Sequence, residues 1–550
     1  MKKDVYFGTY KNSNVNILNN YIKLIDDINS KYYNFSFPFT KGNFDLNYQD
    51  YIKDKKLNYN SKKPKDVFEE ISYLYQCIPN WNNPGTMINV IPPVNLLSTA
   101  TVAYTNLFNP NFAQDTYAGY LIASEFEVIK YMSDLMDWDY KKSRGIFTFG
   151  GKGTNLYATK IALKKANSTT SKSGCSPNKY FMITSKHAHP CHYQVCDWLG
   201  IGSDNCIEIS CLSNGQINIE EAEKKIQENI EKGKIFLGYN LNGGSTNDLI
   251  IDPIKEIYDL NKRIIKKYKL NYSPHIHVDF VLGWILLFFK DFHTTKKALN
   301  PIMELKKYAL EVKYADSVGI DFHKTGFCPY ISSLFMVKSN DDFSLLNSAE
   351  NKELKDLHYG NYNPYNSTLE LTRSSSGAIG ALVCLKSLGI KGFQEIYINM
   401  FEGTYRIREL LSKEEGVCVL NHKANGLVTF FIIKPPQYKT LSIEEIIKLP
   451  STEIEFIKKY NVDFSKFILD KARNNLINFT FTSSRSYKYN GTNINLGALK
   501  IYPISVFFDK EEATKLVKNI INEIKEYKYN TKSYENEISI SDDMVYKERR

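Results

Sequence analysis

Four segments of the chain hold residue types whose spacing suits chemistry. In Phe147–Asn155, Gly150, Gly151, Lys152, Gly153 and Thr154 form a Gly-rich turn. It leads into a stretch where Ala158, Ala162 and Ala166 recur every fourth residue, as on one helix face. Glycines let a backbone approach an anion closely, and the first N–H groups of a helix point at it. Thr154 would either cap that helix or bond a phosphate oxygen. The segment Thr184–Tyr193 holds three histidines, His187, His189 and His192, after an apolar run. An imidazole there could stack on a flat aromatic ligand. A zinc site of His189, Cys191, His192 and Cys196 is disfavoured, because no second C-x₂-C or H-x₃-H pair accompanies it. In His275–Asp279 a carboxylate ends an apolar run, which is costly unless it meets a cation or a turn N–H. A protonated ring nitrogen would be such a cation. In Asp321–Tyr330, His323 and Lys324 follow another apolar run, and a lysine so placed can form a Schiff base with a carbonyl.

Taken singly, each segment also reads as ordinary structure: a tight turn, a capped strand, a surface lysine. Taken together and in this order, they offer a phosphate cradle, a stacking imidazole, an acid for a ring nitrogen and a Schiff-base amine. Pyridoxal phosphate can use all four.

The elements that must position these residues alternate. Apolar runs at Tyr180–Thr184, Ile235–Tyr239, His275–Asp279, Ser317–Ile320 and Ser333–Val337 read as strands. Amphipathic stretches at Ile217–Lys232 and Ile254–Lys267 read as helices between them. Such βαβ alternation predicts an α/β fold with a mostly parallel sheet, whose ligand sits at the carboxyl ends of the strands. Residues 1–85, rich in Asn, Lys and Tyr, read as an N-terminal arm. Residues 86–395 read as the large domain and 396–550 as a small α+β domain. In the latter, a long helical pattern beginning after Gly389–Gly392 precedes strands at Cys418–Leu420, Leu427–Ile433 and Leu499–Phe508 and a helix at Glu511–Tyr527.

On these residues the chain resembles the pyridoxal-phosphate-dependent amino-acid decarboxylases of the glutamate and aromatic-amino-acid group. His277-Val-Asp279 and Asp321-x-His-Lys324 are the most specific parts of the match. The resemblance implies a fold-type-I large domain and a homodimer with pyridoxal 5'-phosphate as cofactor. It also implies Asp279 on the pyridine nitrogen and Lys324 as the Schiff-base lysine, with His323 beside it. It places the stacking imidazole about ten residues before a Leu-Gly pair, so His189, ahead of Leu199-Gly200, fits better than His192. Asn242–Asn247 followed by Asp252-Pro253 is similar to the family's Gly-Thr-Thr loop and puts Thr246 near the cofactor. Asn109–Asn111 with Glu125 is similar to its substrate-side segment. Of Tyr359, Tyr362 and Tyr365, which precede Arg373, Tyr362 is chosen as the loop acid that protonates the product carbon. Two departures stand out. Gly150–Asn155 differs from the usual Gly-Gly-Thr-Glu-Ala-Asn, and Phe280–Trp284 after Asp279 is closer to the sphingosine-phosphate lyase branch.

Composition narrows the classes further. With 550 residues, 43% hydrophobic and 24% charged, the chain suits a globular protein of several domains rather than a disordered one. The longest apolar run, Phe280–Phe289, is well short of the ~20 residues of a membrane helix. The net charge of +10 is dispersed, so neither nucleic acid nor membrane is expected as a partner. Nine cysteines, an odd number, with no secretion signal in view, read as reduced thiols in a cytoplasmic protein. The expected activity is decarboxylation of an aromatic or acidic L-amino acid to its amine and carbon dioxide. The alternatives are a carbon–carbon lyase with the same cofactor and a non-catalytic homologue.

Overall fold

The chain alternates strand and helix from residue 144 onward, and the computed structural model turns that alternation into one large sheet. It describes residues 3–10, 12–347, 362–484, 487–489, 492 and 494–530. The strands are β1 (Arg144–Thr148), β2 (Tyr180–Ser185), β3 (Cys206–Ile209), β4 (Ile235–Asn242), β5 (His275–Asp279), β6 (Ser317–Asp321) and β7 (Ser333–Val337). They lie in the order β1-β7-β6-β5-β4-β2-β3. β7 runs antiparallel to both of its neighbours, and the other pairs are parallel. β2, β5, β6 and β7 are buried along their whole length; β2 and β7 are accordingly mostly apolar, while β5 buries His275, His277 and Asp279 between its apolar residues.

Helices Gly151–Ala166, Cys191–Trp198, Ile219–Glu231 and Ile254–Tyr268 follow β1, β2, β3 and β4. The mostly parallel α/β architecture expected from the sequence is therefore present. The expected strands recur with boundaries shifted by a few residues at most. β1 and β3 were not anticipated, since each is short and carries a charged residue, Arg144 at the start of β1 and Glu208 within β3. The side chain of Asn218 caps the third of these helices through the N–H groups of Glu220 and Glu221.

The long helix differs from expectation. It runs Ser376–Leu411, not from Gly392 onward, and carries one non-helical residue, Gly389 (φ 59°, ψ −178°). Glycine alone adopts that conformation readily, so the sequence signal for a break marks a kink within one helix. The expected boundary at 395/396 falls inside it. Its first half packs on helices Leu96–Asn106 and Ala123–Leu135 and its second on the C-terminal helix Lys510–Asn530.

The remaining strands, β8 (Val417–Val419), β9 (Thr429–Ile433), β10 (Thr482–Ser483) and β11 (Leu499–Ile501), form an antiparallel sheet in the order β10-β11-β9-β8. β11 stops at Ile501 rather than reaching Phe508, because Pro503 has no N–H for a ladder bond. Phe431, Ile433, Phe464, Ile468, Leu499 and Ile520 fill the core between this sheet and its helices.

Candidate active site

Strand periodicity sets up the site. On β5, His275, His277 and Asp279 share one face, because alternate side chains point the same way. β6 lies beside β5 with His277 opposite Ser317 and Asp279 opposite Gly319. Helix Gly151–Ala166 crosses this face closely. A side chain at Gly319 would stand 2.2 Å from Thr154 Oγ1, so the absence of a Cβ lets the helix settle there.

Asp279 is 8% exposed and is the terminal residue of β5. Asn155, in the first turns of the crossing helix, donates from Nδ2 to Asp279 Oδ2 at 3.2 Å. His192 Nε2 lies 3.7 Å from the same oxygen. Asp279 Oδ1 is buried with no hydrogen-bond partner among the described residues. Burial, the largest influence, opposes the charge on Asp279, but the surrounding His192, Lys324, His189 and His277 together hold the carboxyl below its usual range.

Lys324 sits just after β6 in the short helix Phe322–Thr325. Its Nζ is 2.7 Å from Asp321 Oδ2. Burial disfavours the ammonium, but Asp321 more than compensates and holds the lysine above its usual pKa. Asp321 is itself fixed by a 2.5 Å bond from Ser333 Oγ on β7. His323 lies beside this pair, with Nε2 3.6 Å from Asp321 Oδ2 and its ring 4.3 Å from that of Tyr330.

The Gly-rich turn abuts the same carboxylate: a Cβ at Gly151 would meet Asp321 Oδ2 at 3.0 Å. Gly150 has φ 126°, a glycine conformation, and open space where a side chain would be. The helix starting at Gly151 has no side-chain cap; Gly153 N donates to Gly150 O at 2.8 Å, which leaves the N–H groups ahead of it for an anion. Thr154 is fully buried and donates to Gly151 O at 2.7 Å, so its hydroxyl serves the turn itself. Lys152 points away from the turn, bonding Gln194 Oε1 at 2.6 Å with its ammonium over the Trp198 ring.

The two candidate imidazoles separate. His192 is fully buried behind Asp279, and burial depresses its pKa to about 4. His189 is on the solvent side, with Nδ1 accepting from Cys191 N at 3.1 Å, yet within electrostatic reach of Asp279 and Lys324. Thr246 is exposed on the loop after β4. Backbone bonds seat that loop beside the end of β5, Gly243 N donating to Asp279 O and Gly283 N to Gly243 O. Asp252 accepts from the N–H groups of Asn242 and Ile217, a loop-bracing role.

Tyr362 is drawn elsewhere. Its hydroxyl donates to Glu125 Oε2 at 3.0 Å. Glu125 is fully buried and pairs with both terminal nitrogens of Arg373, which also donate to Phe112 O and Phe147 O. Asn111 Oδ1 receives Arg373 N at 3.0 Å, so the expected substrate-side segment and the chain around Arg373 form one buried unit. Tyr365 is tied through its backbone to Ala113 O, and Tyr359 lies outside the described residues.

Sequence reading quoted Asn155, His277 and Asp321 without giving them separate roles, and missed Ser317. The alternation His275, His277, Asp279 was the available signal for His277; nothing local marks Asn155 or Ser317, which matter through the crossing helix and the register of β6 with β5.

The buried histidines make stability depend on pH. Burial depresses His277 to about 3, against about 6.5 in an unfolded chain. Between those values the unfolded state binds a proton that the native state refuses, so stability falls as pH falls. Relative to His277→Asn, the natural chain should lose about 1.4 kcal/mol per pH unit between about 5.5 and 4. Urea unfolding of both proteins across that range checks this. A pH-independent difference would show that His277 is not held neutral.

The arrangement fits pyridoxal phosphate from its own geometry. A buried carboxylate oxygen awaiting a donor and a lysine amine lie at the ends of the neighbouring strands β5 and β6, and an uncapped glycine turn for the phosphate abuts Asp321 beside them. Comparison with known proteins agrees. The family model described as the pyridoxal-dependent decarboxylase conserved domain matches residues 49–433. Among solved structures, mouse CSAD superposes with a TM-score of 0.75 at 15% identity, covering 93% of this chain and 98% of that one. Oryza sativa TDC with PLP and tryptamine gives 0.74 at 13%, covering 95% and 100%. The glutamate decarboxylase domain of a diaminobutyrate-pyruvate transaminase and L-2,4-diaminobutyrate decarboxylase from Vibrio parahaemolyticus gives 0.69 at 17%, covering 94% and 97%. The chain belongs to the pyridoxal-dependent decarboxylase family: it is a pyridoxal-phosphate-dependent carboxy-lyase of amino acids.

Proposed function

We propose that this carboxy-lyase acts on an L-amino acid as a cytoplasmic homodimer, with Lys324 and Asp279 as its central catalytic residues. The observation that carries the role assignment is the buried, unpartnered Asp279 Oδ1 on the strand next to the one that leads into Lys324. When bound, pyridoxal phosphate supplies an electron sink for the carbon that loses its carboxylate. The protein's part is to hold and orient. Lys324 provides the amine that fixes the cofactor and yields to the substrate amine. Asp321 holds that amine in place and would accept the proton it must lose before it bonds the cofactor. Gly150, Gly151 and Gly153 give the phosphate a backbone cradle. Asp279 holds a proton on the ring nitrogen, which keeps the sink electron-poor. His189, within electrostatic reach of Asp279 and Lys324, would cover the cofactor from the solvent side, and Thr246 and His323 would border it.

An exposed apolar surface supports the homodimer. Leu96, Leu97, Tyr104 and Phe108, on and just after one helix, are exposed, as are Tyr120 and Leu371. Such a concentration on a globular chain marks an association surface. Because this surface adjoins the segment around Arg373, a second copy would approach the cofactor site.

The test is carbon dioxide release from a panel of L-amino acids by the loaded enzyme, with Lys324→Ala as control. Release from one substrate that the variant cannot support is the expected result and identifies the substrate. Aldehyde release from a phosphorylated amino alcohol, with no carbon dioxide from any amino acid, would overturn the reading in favour of a carbon–carbon lyase. Unimpaired release by Lys324→Ala would overturn the lysine's role.

A further inference from the structure

Behind Asp279 runs a chain of buried polar side chains that the reaction does not require to touch the substrate. Asn155 Nδ2 reaches Asp279 Oδ2 at 3.2 Å, and Asn155 Oδ1 lies 2.8 Å from His277 Nε2. His277 Nδ1 is 2.8 Å from Ser317 Oγ, and Ser317 Oγ is 2.7 Å from His275 Nε2. Each of Asn155, His275, His277 and Ser317 is at most 1% exposed. The far end opens onto a charged cluster, His275 Nδ1 lying 3.7 Å from Asp316 and 3.8 Å from Asp342, with Lys165 paired to both.

The chemistry of the groups fixes the direction of the chain. An ionised carboxylate only accepts, so the Asn155 amide nitrogen faces Asp279 and its carbonyl faces His277. That carbonyl only accepts, so His277 carries its proton on Nε2. Both imidazoles are neutral in this dry setting, so Nδ1 of His277 is bare and accepts a hydrogen bond from the Ser317 hydroxyl. The hydroxyl oxygen then accepts from His275 Nε2–H. Every donor therefore points toward Asp279, and bonds aligned in one sense polarise one another.

We infer that His275, Ser317, His277 and Asn155 are positioning residues that act through one another. They saturate Asp279 Oδ2 with a donor and leave Oδ1 aimed, ionised and unpaired for the ring nitrogen of the cofactor. The inference rests on the assignment of Asp279 to that nitrogen.

The test measures binding rather than turnover. Cofactor-free enzyme is titrated with pyridoxal phosphate and, separately, with its 1-deaza analogue, in which carbon replaces the ring nitrogen; tryptophan fluorescence reports each dissociation constant. The natural chain should prefer pyridoxal phosphate. Ser317→Ala, a small change that breaks the chain two links from Asp279, should reduce that preference about fivefold. Asn155→Ala, which removes the donor to the carboxylate, should reduce it about tenfold or more. Binding of the deaza analogue should be unchanged in both. If a variant weakens both ligands equally, the chain is merely structural and the inference is overturned. If the variants keep the full preference, it is also overturned. If the natural chain shows no preference, the assignment of Asp279 itself fails. Ser317→Ala keeps the question answerable should Asn155→Ala fold poorly.

Discussion

Asp279→Asn is expected to lower turnover about a thousandfold while leaving the protein folded. Asparagine has nearly the shape of aspartate, and its carbonyl can still accept from Asn155 Nδ2. What it loses is the charge. A neutral amide cannot hold a proton on a ring nitrogen, so the electron sink weakens in the step that needs it most. The loss should appear in kcat, measured by carbon dioxide release with cofactor content determined on the same sample. A variant that retains cofactor and works within tenfold of the natural rate would show that Asp279 does not serve the ring nitrogen.

Glu125→Ala is expected to destabilise the fold by about 3–5 kcal/mol. Arg373 is 6% exposed, and Glu125 is its sole carboxylate partner among the described residues. Without it, a buried guanidinium keeps only carbonyl partners, and the N–H of Phe147 and the hydroxyl of Tyr362 lose their acceptor. Breaking one side of a buried pair costs more than the pair is worth, because the remaining charge stays dry. The double variant Glu125→Ala with Arg373→Met should therefore recover part of the loss, a non-additivity that a cycle of urea unfolding curves reads directly. A cost below about 1 kcal/mol for Glu125→Ala would mean that water reaches Arg373.

This buried pair also explains why the tyrosine near Arg373 was hard to read. In sequence, Tyr359, Tyr362 and Tyr365 are equivalent: three phenols ahead of an arginine. Only tertiary packing distinguishes them, by placing the Tyr362 hydroxyl on Glu125, a residue more than two hundred positions earlier. The role of loop acid assigned to Tyr362 would require its hydroxyl to leave that contact.

Asp279 and Lys324 were legible because each follows a run of apolar residues typical of a buried strand, and a charged group there stands out. The same contrast made β4 to β7 readable. β1 was not, because Arg144–Thr148 is short, opens on a charge and gains its burial from β7, far along the chain. The kink at Gly389 was read as a helix start because glycine signals a break without saying whether the helix resumes. Asn155 and Ser317 show the same limit at the site. An asparagine in a helix and a serine in a strand carry no local mark of function. They gain one only from the register that sets β6 beside β5 and from the helix that crosses both.

The reversed strand β7 has a consequence for how the protein is made. β1 lies at the edge of the sheet, and its single strand neighbour is β7. On the ribosome, β1 and the glycine turn attached to it emerge long before Ser333–Val337 exists. Until then β1 has no strand to pair with, and a lone edge strand invites pairing with other chains. The lysine segment between β6 and β7, by contrast, is laid down just before β7 folds back. Seating β1 is therefore a late, long-range closure, slow because distant segments must meet. It completes the seat of the strand ahead of the phosphate cradle, so a nascent chain of about 324 to 337 residues carries both the cradle and the lysine before β1 has its partner.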